Sequence, residues 1–385
     1  MTDFDARKCF DRIWHDGLFF RLADHLSTNC WCLMVTWYRR LSARVTFGGA
    51  TSEAFRICRG TRQGAILSPT LANIFLLPLI EALDRSSRGA FLHSQHIPVV
   101  CYADDLLLLS TNGRDLGAML QLVGNFAATW RLDFVHPDPA KTKSHCIVFG
   151  RELLAATPTW TLSGQQLRVR VMTEHLGVVL HERLRADGHV GQRIRRACAA
   201  FYGLTPVGIL TNRLATADKI FLWKAVALPT LIFGCETAPL SSSDIERLDA
   251  RQASLIKAAL GLPRSAHHTA LLHAAGVPRV GEALRGAVFR AFRGLFRSDH
   301  RLRQAYVTAL ARLAVHPEDL DGSFLGHVYA LCRCDFGAVM NIAAGRVDRD
   351  RVRAPLEETG LINSLRLVLA GNCEASRHLL RLLTS

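Results

Sequence analysis

The sequence predicts an α+β fold in which helices pack on an antiparallel sheet. Apolar runs of strand length flank Asp104 and Asp105, which predicts strand, tight turn, strand over residues 99–109. Residues 43–58 alternate around two adjacent glycines, which is a hairpin signal. Helical spacing occurs between and after these hairpins. The predicted order is therefore strand, helices, hairpin, helix, hairpin, helix, strand.

Local signals place the other elements of the first 150 residues. Residues 2–6 predict a short strand, and Ser68-Pro69 predicts a helix start with Ser at the N-cap and Pro in the first turn. A basic, glycine-bearing loop over 59–64 precedes that helix. Helical spacing of Leu18, Leu22 and Leu26 predicts one helix, and residues 31–41 predict another. A last strand is predicted at 144–149. Between them, one face of an amphipathic helix is marked by Leu116, Met119, Leu120, Val123, Phe126 and Trp130.

Beyond Gly150 the pattern is β-rich, and from about residue 188 it turns helical. Val190, Ile194, Ala197, Phe201 and Leu204 line one face of the first of these helices, with Arg193 and Arg196 off that face. Ser243 and Glu246 have capping-box spacing, and Gly261 with Pro263 ends the helix that they open. Residues 281–313 predict a further amphipathic helix, with nucleic-acid contact as its less favoured alternative.

The composition favours a globular chain with a polyanionic partner. Hydrophobic residues make up 49% of the 385 residues, enough for a sizeable core. A net charge of +14 and a pI of about 9.7 favour nucleic acid first and an anionic membrane second. The alternative is a protein that merely carries many arginines. The most apolar window, 65–83, is interrupted by two prolines and an asparagine, so it predicts a buried helix and no membrane span.

The 11 cysteines are scattered, and their C-x-C pairs lack the spacing of a zinc finger. They are typical of reduced thiols, so we expect a nuclear or cytoplasmic protein.

Asp104 and Asp105 are the first candidates for chemistry. Two adjacent carboxylates at a hairpin tip repel each other, so a hard divalent cation would stabilise them, whereas plain turn chemistry is the alternative. Nucleotidyl transfer uses two Mg²⁺ ions about 4 Å apart, and one hairpin cannot hold both. Asp5 is the candidate third carboxylate, with Arg7 and Lys8 following it to meet phosphate charge. Asp3 is the other candidate for this third carboxylate, unless it is merely a solvated terminal residue.

Several stretches in succession carry a family resemblance. Those in the first part are Asp5-Ala6-Arg7-Lys8-Cys9-Phe10-Asp11, Gly60-Thr61-Arg62-Gln63-Gly64-Ala65-Ile66-Leu67-Ser68-Pro69 and Tyr102-Ala103-Asp104-Asp105. They resemble three palm motifs of reverse transcriptases, with the closest likeness to non-LTR (LINE-like) retrotransposons. Residues 139–143 resemble the fourth motif, 175–178 the primer-grip segment and 229–236 the stretch after the thumb.

The resemblance covers roughly residues 2–280 and implies a right-hand polymerase. It implies a palm over 1–150, a primer grip and helical thumb over 151–235, and a helical C-terminal region over 236–385. The implied activity is RNA-directed DNA synthesis. The implied partners are an RNA template, a DNA primer and dNTPs, with two Mg²⁺ ions; the oligomeric state is left open.

The resemblance also implies roles for single residues. Asp5 and Asp104 would hold the metal ions, with Asp105 beside them, and Lys141 would protonate or hold the leaving pyrophosphate. Gln63 and Gly64 would lie against the nascent base pair. Phe10 would lie under the sugar and reject a 2′-hydroxyl, with core packing as its alternative. Arg193 and Arg196 are expected to contact backbone phosphates.

Family members carry a fingers region before the first motif, and this chain opens almost on that motif. We therefore expect a truncated copy or fragment that binds nucleic acid without measurable DNA synthesis. A non-catalytic nucleic-acid-binding remnant is the alternative. A group II intron-type reverse transcriptase is a third, less favoured one.

Overall fold

The computed structural model describes residues 1–5, 9–62, 64–92, 95–138, 141–150 and 159–297, with the side chains at 5, 289, 292, 293 and 295–297 outside that description. The chain divides into two compact units, Met1–Leu176 and a second that begins at Gly177. The predicted division into palm, thumb and C-terminal region stays a prediction. The predicted helix over 281–313 is described only as far as residue 297.

The first unit mixes short strands with longer helices. In chain order its elements are β1 (Thr2–Asp5), α1 (Cys9–Arg12), α2 (His15–Leu22), α3 (Thr28–Arg39), β2 (Ser42–Ala43), β3 (Thr46–Phe47), β4 (Ala50–Thr51), β5 (Phe55–Arg56), α4 (Ser68–Arg85), β6 (Ala90–Leu92), β7 (Gln95–Ile97), β8 (Val99–Tyr102), β9 (Asp105–Leu108), α5 (Gly113–Trp130), β10 (His145–Ile147), β11 (Thr161–Leu162), β12 (Gln165–Gln166), β13 (Arg168–Arg170) and β14 (Met172–His175).

A five-stranded sheet in the order β13-β10-β1-β9-β8 forms the centre of the first unit. β1 pairs antiparallel with both β9 and β10, and β9 pairs antiparallel with β8. The prediction of an antiparallel sheet is therefore confirmed for four strands. β13 instead joins β10 in parallel, an arrangement that requires a long crossover connection between the two strands.

The core of the first unit lies on one face of this sheet. Thr2 and Phe4 are buried there by the alternation of β1, and Phe4 packs edge-on against Phe134 with ring centroids 6.1 Å apart. Among the helices of this unit, α4 and α5 contribute the most buried residues to that core. The apolar face predicted for α5 is confirmed: its buried residues are Leu116, Met119, Leu120, Val123, Phe126 and Ala127.

Helix α4 begins one residue earlier than the sequence predicts: Ser68 is its first residue and not its N-cap. Leu67 is its N-cap, and the Ser68 hydroxyl donates to the carbonyl of Arg62 at 2.6 Å without capping the helix. The short bond closes the basic loop that precedes the helix. No helix in the described ranges is both long and apolar enough to cross a membrane.

The second unit is mainly helical in its described part. Its elements are β15 (Val178–His181), α6 (Asp187–Tyr202), a 3₁₀ turn (Thr205–Val207), α7 (Thr216–Leu222), a π-helical turn (Trp223–Ala227), α8 (Leu228–Ile232), α9 (Ser242–Leu260), α10 (His268–Ala274) and α11 (Val280–Arg297). The side chains of Phe201 and Trp223 are fully buried in its core, with ring centroids 6.2 Å apart.

The sequence predicts an N-terminal capping box and a C-terminal glycine for α9, and the structure shows both ends of this helix. The predicted cap at Ser243 and Glu246 is wrong: the capping box joins Ser241 and Asp244, two residues earlier. Two serines followed by acidic residues give the same spacing, so the pattern alone cannot select the register. The C-terminal prediction is confirmed, since Gly261 adopts φ +66°, the left-handed conformation that glycine favours.

A buried carboxylate joins α9 to α11. Asp249 accepts hydrogen bonds from the backbone N–H of Val280 at 2.7 Å and from Nε of Arg279 at 3.1 Å. Its side chain is only 6% exposed. The contact satisfies a backbone donor at the start of α11, where no intrahelical acceptor exists.

We predict that Asp249→Asn lowers the free energy of unfolding by about 1–3 kcal/mol, because the buried N–H of Val280 and the guanidinium of Arg279 lose a charged acceptor. Equilibrium urea unfolding of the full chain measures it. Glu246→Gln, an exposed change on the same helix, is the matched control and should leave the midpoint almost unchanged. Equal midpoints for the two variants would contradict the structural role of Asp249.

Candidate active site

The predicted strand-turn-strand over 99–109 is confirmed as the hairpin of β8 and β9. Ala103 and Asp104 form its turn, with Ala103 at φ +54°, and Asp105 is the first residue of β9. Both aspartates are half-buried. The hairpin therefore presents two adjacent carboxylates at the end of the central sheet.

The register of β1 brings a third acidic position to the same place. Asp5, the last residue of β1, lies directly across from Asp105 in the antiparallel pairing. The prediction that Asp5 and the hairpin occupy adjacent central strands is thus confirmed. The predicted approach of the Asp5 and Asp104 carboxylates stays a prediction, because the Asp5 side chain lies outside the described residues.

The hairpin tip is electronegative. The pKa of the Cys101 thiol is raised, first by burial and then by the charges of Asp104 and Asp105. Asp104 has no cationic partner among the described side chains. Repulsion at the tip is therefore not offset by an ion pair at Asp104 within the part of the chain that the structure describes.

Asp3 is not the solvated terminal residue that we considered. Its side chain is 13% exposed, and its Oδ1 lies 3.1 Å from Nδ1 of His175 on β14. The hydroxyl of Thr173 donates to Oδ2 at 3.5 Å. The hydrogen bond to Asp3 raises the pKa of His175 against the opposing effect of burial. Asp3 thus ties the predicted primer-grip segment to β1.

A polar cavity of about 450 Å³ lies next to this contact. Asp3 and Asp105 line it together with three cationic side chains, Lys141, Lys143 and Arg170. The structure therefore brings Lys141 and Asp105 to one cavity, as the motif resemblance implies. Lys141 is 71% exposed and lies 3.7 Å from Asp138, so most of its surface remains open to solvent.

The other residues predicted for the site have mixed placements. Phe10 is half-buried and packs against the core cluster, which supports its packing role. Gly64 has φ +80°, and a Cβ there would meet nothing within 4 Å, so the backbone faces open space. Arg7, Lys8 and Gln63 lie outside the described residues.

The expectation that Arg193 lies off the apolar face is wrong. Its side chain is buried, with Nη2 donating to the carbonyl of Gly177 at 3.1 Å and the guanidinium 5.3 Å from the ring centre of Phe233. Position 193 lies one turn from both Val190 and Ala197, which places it at the edge of the buried stripe. Arg196 is exposed, as predicted.

The polar cluster around Asp3 includes residues that the sequence reasoning missed. His145 on β10 contacts the hydroxyl of Thr173 through Nε2, and Thr173 in turn contacts Asp3. The partners lie far apart in the sequence, so no local pattern indicates the cluster. One signal was present: positions 3 and 5 share a face of β1 by alternation. Among the described side chains, no group of three potential ligands is arranged to hold a metal ion.

Comparison with known proteins gives a family match over the first unit. Residues 1–170 match the family described as reverse transcriptase (RNA-dependent DNA polymerase). That range contains Asp5, the hairpin carboxylates and Lys141.

Similar curated proteins come from mobile elements. The RNA-directed DNA polymerase from mobile element jockey of Drosophila melanogaster is 21% identical over 326 residues, covering 82% of this chain and 32% of the relative. The probable RNA-directed DNA polymerase from transposon X-element of the same organism is 23% identical over 277 residues, covering 69% of this chain and 29% of the relative. A retrovirus-related Pol polyprotein from type-1 retrotransposable element R2 of Popillia japonica is 33% identical over 133 residues, covering 33% of this chain and 18% of the relative. The chain thus spans about a third or less of the length of these relatives.

We predict a pH-dependent contribution of the Asp3–His175 pair to stability. The pKa of His175 is raised in the folded state. The stabilisation is therefore fully present at a pH below the unfolded-state pKa of about 6.5, and it is lost as the pH rises through the folded-state pKa. Asp3→Asn should therefore lower the free energy of unfolding by about 1–3 kcal/mol near pH 6 and by less near pH 9.

Urea unfolding at the two pH values measures this difference. Asp24→Asn is the control, since its partner is an arginine, Arg21, and not a histidine. A loss for Asp3→Asn that is the same at both pH values would contradict the ion pair.

Proposed function

Because this chain belongs to the LINE-like reverse transcriptases, we propose that its first unit is the palm of an RNA-directed DNA polymerase from a non-LTR retrotransposon. The proposed substrates are an RNA template, a DNA primer and dNTPs. One observation carries the proposal: the register that sets Asp5 across from Asp105, with Asp104 in the adjoining turn. We further propose that residues 151–235 provide a primer grip and thumb.

The hairpin tip fits a hard divalent cation. Its carboxylates are half-buried, they raise the pKa of a neighbouring thiol, and Asp104 has no cationic partner among the described side chains. Oxygen ligands and uncompensated negative charge are what Mg²⁺ requires. We propose that Asp5, Asp104 and Asp105 hold two Mg²⁺ ions, which when bound would activate the 3′-hydroxyl and stabilise charge on the phosphates.

The remaining residues of the site would position substrate. Lys141 adds positive charge to the cavity that Asp105 lines, and we propose that it holds or protonates a departing pyrophosphate. Gly64 leaves its backbone open to a flat ligand such as a base pair. Phe10 lies five residues after Asp5 in the sequence, and its side chain is only half-buried, so one side of the ring can face a sugar while the other packs on the core.

We predict that Asp104→Ala lowers DNA synthesis by at least about 10²–10³-fold, since a charged group of the reacting site is lost. The assay is extension of a DNA primer on an RNA template with Mg²⁺ and dNTPs, using the chain fused in frame to the fingers segment of a related element. Asp16→Ala, an exposed change on α2, should leave extension intact. Extension that survives Asp104→Ala would sink the proposal. Binding without extension in the fused, unmodified protein would favour the non-catalytic remnant.

The role of Phe10 makes a separate prediction. In the same fused protein, Phe10→Ala should raise incorporation of ribonucleotides relative to deoxyribonucleotides by about 10-fold or more, because a 2′-hydroxyl would no longer meet the ring. Competition between rNTPs and dNTPs in the extension assay measures the ratio. Unchanged discrimination would leave Phe10 with core packing alone.

A further inference from the structure

The basic loop over 59–64 is fastened to the segment around α1 by backbone hydrogen bonds. The N–H of Gly60 donates to the carbonyl of Ile13 at 2.8 Å. The N–H of Thr61 donates to the carbonyl of Phe10 at 2.6 Å. Both loop residues are buried. The loop therefore holds the backbone of Phe10, the residue that we propose rejects a 2′-hydroxyl.

A buried histidine adds a side-chain contact to the same loop. His15, the first residue of α2, is 7% exposed, and its Nε2 lies 2.8 Å from the carbonyl oxygen of Gly60. Because a carbonyl can only accept, Nε2 carries the proton and donates it. The imidazole packs edge-on against Tyr38, with ring centroids 5.1 Å apart, and its centroid lies 6.0 Å from that of Phe19. Two aromatic neighbours therefore hold the ring in the orientation of the hydrogen bond.

The loop approaches α1 most closely at Gly60. A Cβ at this position would lie 2.7 Å from the carbonyl oxygen of Asp11 and 2.8 Å from its Cα. Backbone atoms cannot turn aside as the end of a flexible side chain can, so this approach requires glycine. His15 thus donates to the loop at the point where the loop and α1 are in closest contact.

The other end of the loop is also held. The Ser68 hydroxyl donates to the carbonyl of Arg62 at 2.6 Å, and the N–H of Ala65 donates to the same carbonyl at 3.1 Å. Gly64 lies between these contacts and is exposed. A short segment held at both ends can keep its exposed residue at a constant distance from Phe10.

We propose that His15 is a positioning residue for nucleotide selection, because it fixes the distance between the Phe10 ring and the loop that carries Gln63 and Gly64. This inference rests on the proposed function, in which Phe10 meets the sugar and the loop meets the nascent base pair. His15 is buried behind the loop, so it acts through the Gly60 carbonyl and not by contact with substrate. A displacement of about 1 Å at a reacting site can change a rate by about 10²-fold.

The test is the ratio of kcat/KM for dNTPs to kcat/KM for rNTPs, measured by primer extension with the full chain fused to the fingers segment used above. His15→Phe keeps an aromatic ring and removes the donor, so we expect this ratio to fall by about 3–10-fold, the effect of one hydrogen bond. His15→Gln supplies an N–H donor and should restore most of the ratio. The ratio does not depend on the folded fraction, since both substrates meet the same active molecules.

Two variants control for less specific effects. His25→Phe makes the same replacement at an exposed histidine after α2, and Val123→Ala removes apolar volume from the buried face of α5. Both should leave the ratio unchanged. In a Phe10→Ala background, His15→Phe should have little further effect on the ratio, because no ring remains to be positioned.

Hydrogen exchange of the full chain, without the fusion, measures the contact independently of activity. The N–H groups of Gly60 and Thr61 should exchange slowly in the unmodified protein and at least about 10-fold faster in His15→Phe. His25→Phe should leave their exchange unchanged. Where His15→Phe does not fold, His15→Leu removes the same donor in both experiments.

The outcomes separate this inference from the proposed function. An unchanged ratio in His15→Phe, in a fused protein whose extension requires Asp104, would overturn the role of His15 and leave the polymerase proposal intact. An effect on the ratio that persists undiminished in the Phe10→Ala background would do the same, as would exchange of the loop that is unaffected by loss of the imidazole. If the fused protein shows no extension that requires Asp104, both proposals fail.

Discussion

The register between β1 and β9 is the constraint on which the candidate site depends. It pairs Phe4 with Leu106 and, next to them, Asp5 with Asp105. Like charges directly opposite each other cost roughly 0.2–1 kcal/mol, whereas burying one large apolar side chain contributes about 1.5–3 kcal/mol. Packing therefore outweighs repulsion. Because a slip of one residue would turn the acidic positions toward the core, the apolar face fixes where the acids lie.

The same strand carries two kinds of carboxylate with different environments. Asp3 has protein partners, since His175 and Thr173 contact its carboxylate from β14. Asp104, in the turn beside β9, has no such cation among the described residues. A carboxylate with its own partner is suited to hold a segment in place, whereas one without a partner is suited to bind an added cation. This difference separates Asp3, which holds a segment in place, from Asp104, which we propose binds a cation, more clearly than sequence position does.

Periodicity predicted the elements whose signal is local. The hairpin at Asp104 and the apolar face of α5 were found because each rests on neighbouring residues. The cap of α9 was misplaced because Ser241 and Ser243 offer the same spacing, and only packing selects between them. The environment of Asp3 could not be predicted, since its partner His175 lies 172 residues away and is brought near only by the tertiary fold.

Helix α6 shows why net charge alone does not locate a binding surface. Arg193 and Arg195 contribute equally to the +14 total, yet one is buried and the other exposed. The buried guanidinium satisfies the Gly177 carbonyl and packs on an aromatic ring, so removing it would cost stability before it altered any ligand affinity. Only the exposed arginines can release counterions from a polyanion. Burial therefore decides which part of a basic sequence is available for binding.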